Sequence, residues 1–154
     1  MITTTRKEAV GLIEDSMNTD IPLKDESLEK VIYAVNNDLS VRDWVMGMPA
    51  RFTMDESIQF VRYMAVNTTA EDSVPFTTVN AIFEYERNNL DDANKLLEYS
   101  LKINPLYPLA HLMSRVFDSN KLSGDAMKTM RAGLDHVVLE ACQEDVTITD
   151  EEQE

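Results

Sequence analysis

The most distinctive polar pair in the sequence is Arg42-Asp43, followed directly by Trp44. A guanidinium offers donors in a fixed fork and an indole offers a broad face. Together they suit recognition of another macromolecule better than bond-breaking chemistry. The candidate partner-binding residues are therefore Arg42, Asp43, Trp44, Met46, Met48 and, further along, Tyr107. A plainer reading competes with this one. Ser40 caps a short helix, Asp43 reaches back three residues to a free amide, and Arg42 pairs with a nearby carboxylate.

Material for catalysis is sparse. His111 and His136 are the only histidines, on separate expected helices, and no serine or cysteine nucleophile has a histidine at recognisable spacing. The four glycines, at 11, 47, 124 and 133, are scattered, which excludes a glycine-rich phosphate loop. Adjacent carboxylates abound (Glu14/Asp15, Asp25/Glu26, Asp55/Glu56, Glu71/Asp72, Asp91/Asp92, Glu144/Asp145). Neighbours on a helix diverge by about 100°, so none of these pairs is a ready metal clamp, and most fall where helix starts favour negative charge. Cys142, the single cysteine, has no intrachain disulfide partner and reads as a packing residue. No catalytic, metal-ligating or cofactor-binding residue is assigned, no cofactor is expected, and the chain reads as a non-enzyme.

The charge of −14, from 28 acidic and 14 basic side chains, disfavours direct binding to nucleic acid or to an anionic membrane. Six of the carboxylates lie in residues 144–154, which hold no Lys or Arg, leaving −8 on the rest. The expected organisation is one helical domain over 1–143 and a disordered acidic tail over 144–154. No apolar run reaches the roughly 18 residues needed to span a bilayer, and the first 15 residues resemble no targeting peptide, so a cytoplasmic protein is expected.

Helical periodicity sets the elements that position these residues. Helices are expected over about 4–17, 24–36, 40–48, 53–66, 73–88, 90–103, 108–119 and 123–142. Thr53 with Glu56 spells a capping box, Pro75 and Pro108 suit helix starts, and Pro105 a helix end. On the last helix the expected inner stripe is Met127, Met130, Leu134, Val137, Val138 and Ala141. Strand signals are thin. Val146-Thr147-Ile148-Thr149 alternates but lies in the acidic tail. The fold class is all-α, a compact bundle of seven or eight short helices.

Residues 83–105, FEYERNNLDDANKLLEYSLKINP, carry Leu90, Ala93, Leu97 and Pro105 at the large, small, large and terminal-proline positions of a tetratricopeptide-repeat second helix, which this stretch resembles. Ser100 replaces the usual second alanine. The first helix departs further, with Asn80, Ala81 and Glu84 at the leucine, glycine and aromatic positions. No second copy follows at the repeat period, so a tetratricopeptide-like helical hairpin is expected rather than a solenoid.

Two stretches together, YAVNNDLSVRDWVMG (33–47) and the hairpin ending in Ile103-Asn104-Pro105-Leu106-Tyr107-Pro108-Leu109-Ala110, resemble the C-terminal half of an uncharacterised actinobacterial and actinobacteriophage family. Asp38, Arg42, Asp43, Ala93, Leu101, Pro105, Tyr107, Leu109 and Ala110 carry the match, which covers about residues 30–118. The resemblance implies a phage-encoded relative working in the host cytoplasm. It supplies no mechanism.

The expected function is a non-enzymatic helical protein-interaction module that binds or modulates a host protein through a basic surface on that partner. The alternatives are an acidic DNA mimic that inhibits a nucleic-acid-binding protein, a self-assembling homo-oligomer, and a small enzyme of unknown type.

Overall fold

The computed structural model describes residues 2–119 and 121–149. Among these the chain is all-α. The helices are α1 (Arg6–Thr19), α2 (Asp25–Asn37), α3 (Leu39–Met46), α4 (Met54–Val66), α5 (Ala70–Glu86), α6 (Leu90–Ile103), α7 (Pro108–Ser119) and α8 (Gly124–Ala141). A single 3-10 turn, Met48–Ala50, follows α3. The chain forms two compact units. One holds the residues up to Met46 together with those from Leu134 onward, and the other holds Gly47–Gly133. In chain order the second unit is inserted into the first.

The helix starts follow from short polar side chains that satisfy amides with no intrahelical partner. Thr5 Oγ1 accepts from Glu8 N at 3.0 Å in α1. The capping box of α4 is complete, with Glu56 N donating to Thr53 Oγ1 and Thr53 N donating to Glu56 Oε1. These bonds to its ionised form hold the Glu56 carboxyl below its ordinary range. Ser123 Oγ accepts from Ala126 N at the start of α8. One start differs from expectation. Pro75 does not open α5, which begins a full turn earlier because Thr69 Oγ1 accepts from Asp72 N. Pro75 is then the sixth residue of the helix, and the price is one absent amide at that turn.

In the first unit, α1, α2 and α3 pack on one another around Ala9, Ile13, Val31, Ala34, Val35, Val41, Trp44 and Val45. In the second, α5 is the central element. It is buried on all sides from Ser73 to Tyr85 and packs against α4, α6 and α7, as a helix without a polar face must. The α5–α6 turn contains Asn88 at φ 68°, a left-handed conformation that asparagine tolerates. Small residues let α6 approach. Ala93 and Ser100 are fully buried, and the Ser100 and Thr78 hydroxyls hydrogen-bond across the helix pair at 3.0 Å.

Two expectations about the C-terminal region are corrected. On α8 the expected inner stripe divides: Met130, Leu134 and Val137 are 61%, 65% and 55% exposed, whereas Met127 is buried and Val138 and Ala141 are half-buried. The inward face adds Arg131 and Asp135 to those three, and Cys142 is buried just past the helix end. Arg131 fixes this rotation within the second unit. Its Nε and Nη2 donate to Glu86 at 2.9 and 2.7 Å, and both side chains are almost wholly buried. The second correction concerns the acidic tail. Over 144–149 it is not a free extension. Thr147 forms an antiparallel bridge with Thr5, and Ile148 is buried. Residues 150–154 of the expected tail lie outside the described residues.

Candidate functional site

The site begins at Asp38, which lies extended between α2 and α3 (φ −142°, ψ 117°). Its Oδ1 accepts from Val41 N at 3.1 Å and so caps α3. Its Oδ2 accepts from Arg6 Nε at 2.8 Å. The hydrogen bond to Asp38 raises the Arg6 pKa further, so Arg6 stays charged at all ordinary pH. This corrects the expected cap. Ser40 is already the second residue of α3, and Asp38 supplies the acceptor one step before the helix.

Asp43 consequently has a different task from the expected capping box. Arg42 Nε and Nη2 both donate to Asp43 Oδ1, at 3.1 and 2.9 Å, so the two neighbours pair along the helix surface. The side chains are 13% and 33% exposed, which leaves this pair partly open to solvent.

Helical geometry sorts α3 into two faces. Val41, Trp44 and Val45 are buried, and Trp44 is only 2% exposed. On the opposite side, Arg42, Asp43 and Met46 lie three, four and seven positions after Leu39. Leu39 is 65% exposed and the other three are half-buried. The structure thus brings Arg42, Asp43 and Met46 onto one accessible strip and removes Trp44 from it. As folded, Trp44 and Met48 are core residues and have no surface to present, which corrects their place among partner-binding candidates. Met48 and Tyr107 belong to the second unit, where Tyr107 is half-buried at the entrance to α7. Leu39 was absent from the sequence candidates. Its signal was available, an apolar residue four positions before Asp43, but the expected helix started after it.

The second unit holds a polar cluster that sequence reasoning also missed. Glu84 is 2% exposed, in the last full turn of α5. Asn89 Nδ2 donates to its Oε2 at 3.2 Å, and Asn89 N donates to its backbone carbonyl at 2.8 Å. Arg87 Nε lies 3.3 Å from Oε1, and Arg62 Nη2 lies 3.7 Å from Oε2. The carboxylate is therefore a clasp for the α5–α6 turn, flanked by two cations.

His111 is exposed, with its ring Nε2 against the Pro105 carbonyl, and His136 is exposed on α8. Among the described residues, no group of three or more His, Cys, Asp and Glu side chains could hold a metal ion. No helix among them is long and apolar enough to cross a membrane. No family model matches the sequence, and comparisons with curated proteins and with solved structures returned no match. Fold and site together define a class, a small all-helical protein without a recognisable catalytic motif.

Proposed function

We propose that the protein is a non-enzymatic interaction module that uses the exposed strip of α3 to bind another protein. The observation that carries this is the division of α3. Its inner face is anchored in the core, while Leu39, Arg42, Asp43 and Met46 form an outward strip of apolar ends around a charged centre. Helix-borne strips of this composition are a common recognition mode, because one preformed helix supplies several anchors at little entropic cost. The net charge of −14 favours a partner with a basic surface. The family resemblance adds a phage-encoded protein acting on a host protein in the host cytoplasm, with α5 and α6 as a tetratricopeptide-like hairpin that supports the module. DNA mimicry draws less support, since Arg6, Lys30, Arg42, Arg62, Arg87 and Arg131 are interleaved with the acid as ion pairs.

A photoreactive residue at Leu39, compared with one at exposed Gln59 on α4, tests the proposal in bacterial lysate. A discrete adduct from position 39 that is absent from position 59 and weakened by Arg42→Glu supports it. Equal labelling from both positions overturns it.

A second reading, self-assembly, is favoured by α8, where Met130, Leu134 and Val137 recur at the spacing of a helix-pairing seam and are all exposed. Light scattering across a concentration series separates the two. A dimer that is lost in Leu134→Glu assigns α8 to self-pairing, whereas a monomer at all concentrations removes that reading.

A further inference from the structure

The N-terminal residues before α1 are extended, and the segment that follows α8 returns to pair with them. Arg6 N donates to Val146 O at 3.0 Å, and Ile148 N donates to Thr4 O at 2.9 Å. These two bonds flank the single antiparallel bridge between Thr5 and Thr147. Side chains alternate as a strand requires. Thr4 and Ile148 turn inward and are buried, while Thr147 faces solvent. Arg6 Nη1 adds a contact to Glu144 Oε2 at 3.8 Å, and the Cys142 thiol donates to Ser40 O at 3.3 Å.

Three features mark this attachment as separable from the helices. It has one bridge rather than a ladder. Only one large side chain, Ile148, is buried among residues 144–149, and the rest of that run is exposed. Its ionic contact is long and reaches a well-exposed carboxylate. Local openings of low cost concentrate in segments of this kind. The surface beneath them has a definite chemistry. It offers one strand-edge donor (Arg6 N), one acceptor (Thr4 O), the buried position that Ile148 fills, and the Arg6 guanidinium.

We propose that residues 4–6 form a strand-addition edge with the C-terminal segment as its resident, displaceable occupant. On opening, the edge accepts an extended segment of the same kind from a partner, with a branched aliphatic side chain for the Ile148 seat and a carboxylate for Arg6. Strand addition of this type draws affinity from main-chain bonds and specificity from alternate side chains. The α3 strip is a separate surface, and neither proposal depends on the other.

Cys142, buried two residues before the attached segment, is a native reporter. The full chain is treated with excess dithiobis(nitrobenzoate), and its labelling rate is compared with amide exchange of Ile13 in α1 and Val35 in α2, both in the core of the same unit. Labelling of the wild-type thiol is expected to outrun exchange at these core amides. Ile148→Ala is expected to accelerate labelling about tenfold or more, with their exchange unchanged. A fluorescent peptide with the sequence of residues 144–149 is expected to bind Ile148→Asp more tightly than wild type, and a scrambled peptide to bind neither. If Ile148→Asp fails to fold, Ile148→Ala takes its place in the peptide assay. The proposal is overturned if Cys142 labels only as fast as the Ile13 and Val35 amides exchange in both wild type and Ile148→Ala, or if the peptide binds no variant above its scrambled control.

Discussion

Asp38 has two separable jobs, and substitutions can divide them. Its Oδ1 caps α3 through Val41 N, and its Oδ2 receives Arg6 Nε at 2.8 Å, with the Asp38 side chain 9% exposed and Arg6 25% exposed. Asp38→Ser keeps an acceptor for the cap and loses the reach to Arg6. Asp38→Ala loses both. An N-cap is worth about 1 kcal/mol. A hydrogen bond to a charged group in a largely buried setting is worth about 1.5–3 kcal/mol. Asp38→Ser should therefore cost about 2 kcal/mol and Asp38→Ala about 3 kcal/mol.

Urea denaturation followed by far-UV circular dichroism measures both, with Arg6→Met and the Arg6→Met/Asp38→Ser double variant closing the cycle. The coupling energy should be about 1.5 kcal/mol or more, because the two groups touch directly. Two units raise the prospect of two transitions, so the loss is to be read from the transition that tracks Trp44 fluorescence, which reports the first unit. A coupling below about 0.5 kcal/mol would show that Arg6 and Asp38 do not act together, and equal costs for serine and alanine would remove the cap.

The buried Glu86–Arg131 pair makes a sharper contrast: Arg131→Met alone should cost about 3–5 kcal/mol, whereas Glu86→Leu with Arg131→Met should recover most of it, as measured by denaturation midpoints. Gly124→Ala should destabilise by about 1–3 kcal/mol, since a Cβ there would stand 2.9 Å from the carbonyl oxygens of both Tyr85 and Glu86; a thermal melt that matches wild type would contradict that contact. The pH dependence follows from two carboxyls held below their ordinary range, Glu8 by Thr4 and Lys30, and Glu56 by Thr53. A depressed folded-state value means that their stabilisation is present above the unfolded value, near pH 4.5, and is lost as pH falls through the lower folded value. Melting temperature should therefore drop on acidification below about pH 4.5, and Glu8→Gln should make that drop shallower.

Much of the fold was legible because period and punctuation agreed. The bounds of α6 and α7 match their sequence expectations, since Asp91, Asp92, Pro105 and Pro108 mark ends that packing had no reason to move. Where two signals competed, local rules chose the wrong one. Proline is a strong starting signal, yet Thr69 offers a side-chain cap six residues before Pro75, and the added turn places Ser73 and Val74 in the core. The alternation in 146–149 was visible, but surrounding acid outweighed it. What decides that segment is a partner strand more than 140 residues away in sequence, Thr5, which no local window contains.

The same distinction explains the candidate site. A helical pattern states the period of the apolar residues, but the phase belongs to whatever anchors the helix. On α8, the Arg131–Glu86 pair sets the phase and turns the stripe of Met130, Leu134 and Val137 outward. On α3, the Arg6–Asp38 pair and the cap at Val41 N fix the first turn, and Trp44 follows inward with Val41 and Val45. The tryptophan looked like a surface anchor because it adjoins an arginine in sequence. One residue along a helix is a turn of about 100°, enough to separate a core side chain from the exposed pair beside it. In both helices a buried or half-buried ion pair, distant in sequence, decides which apolar residues the protein keeps and which it shows. Exposed apolar residues on α3 and α8 are thus consequences of a specified rotation, and a surface held in place by such pairs is a surface that a partner can meet preformed.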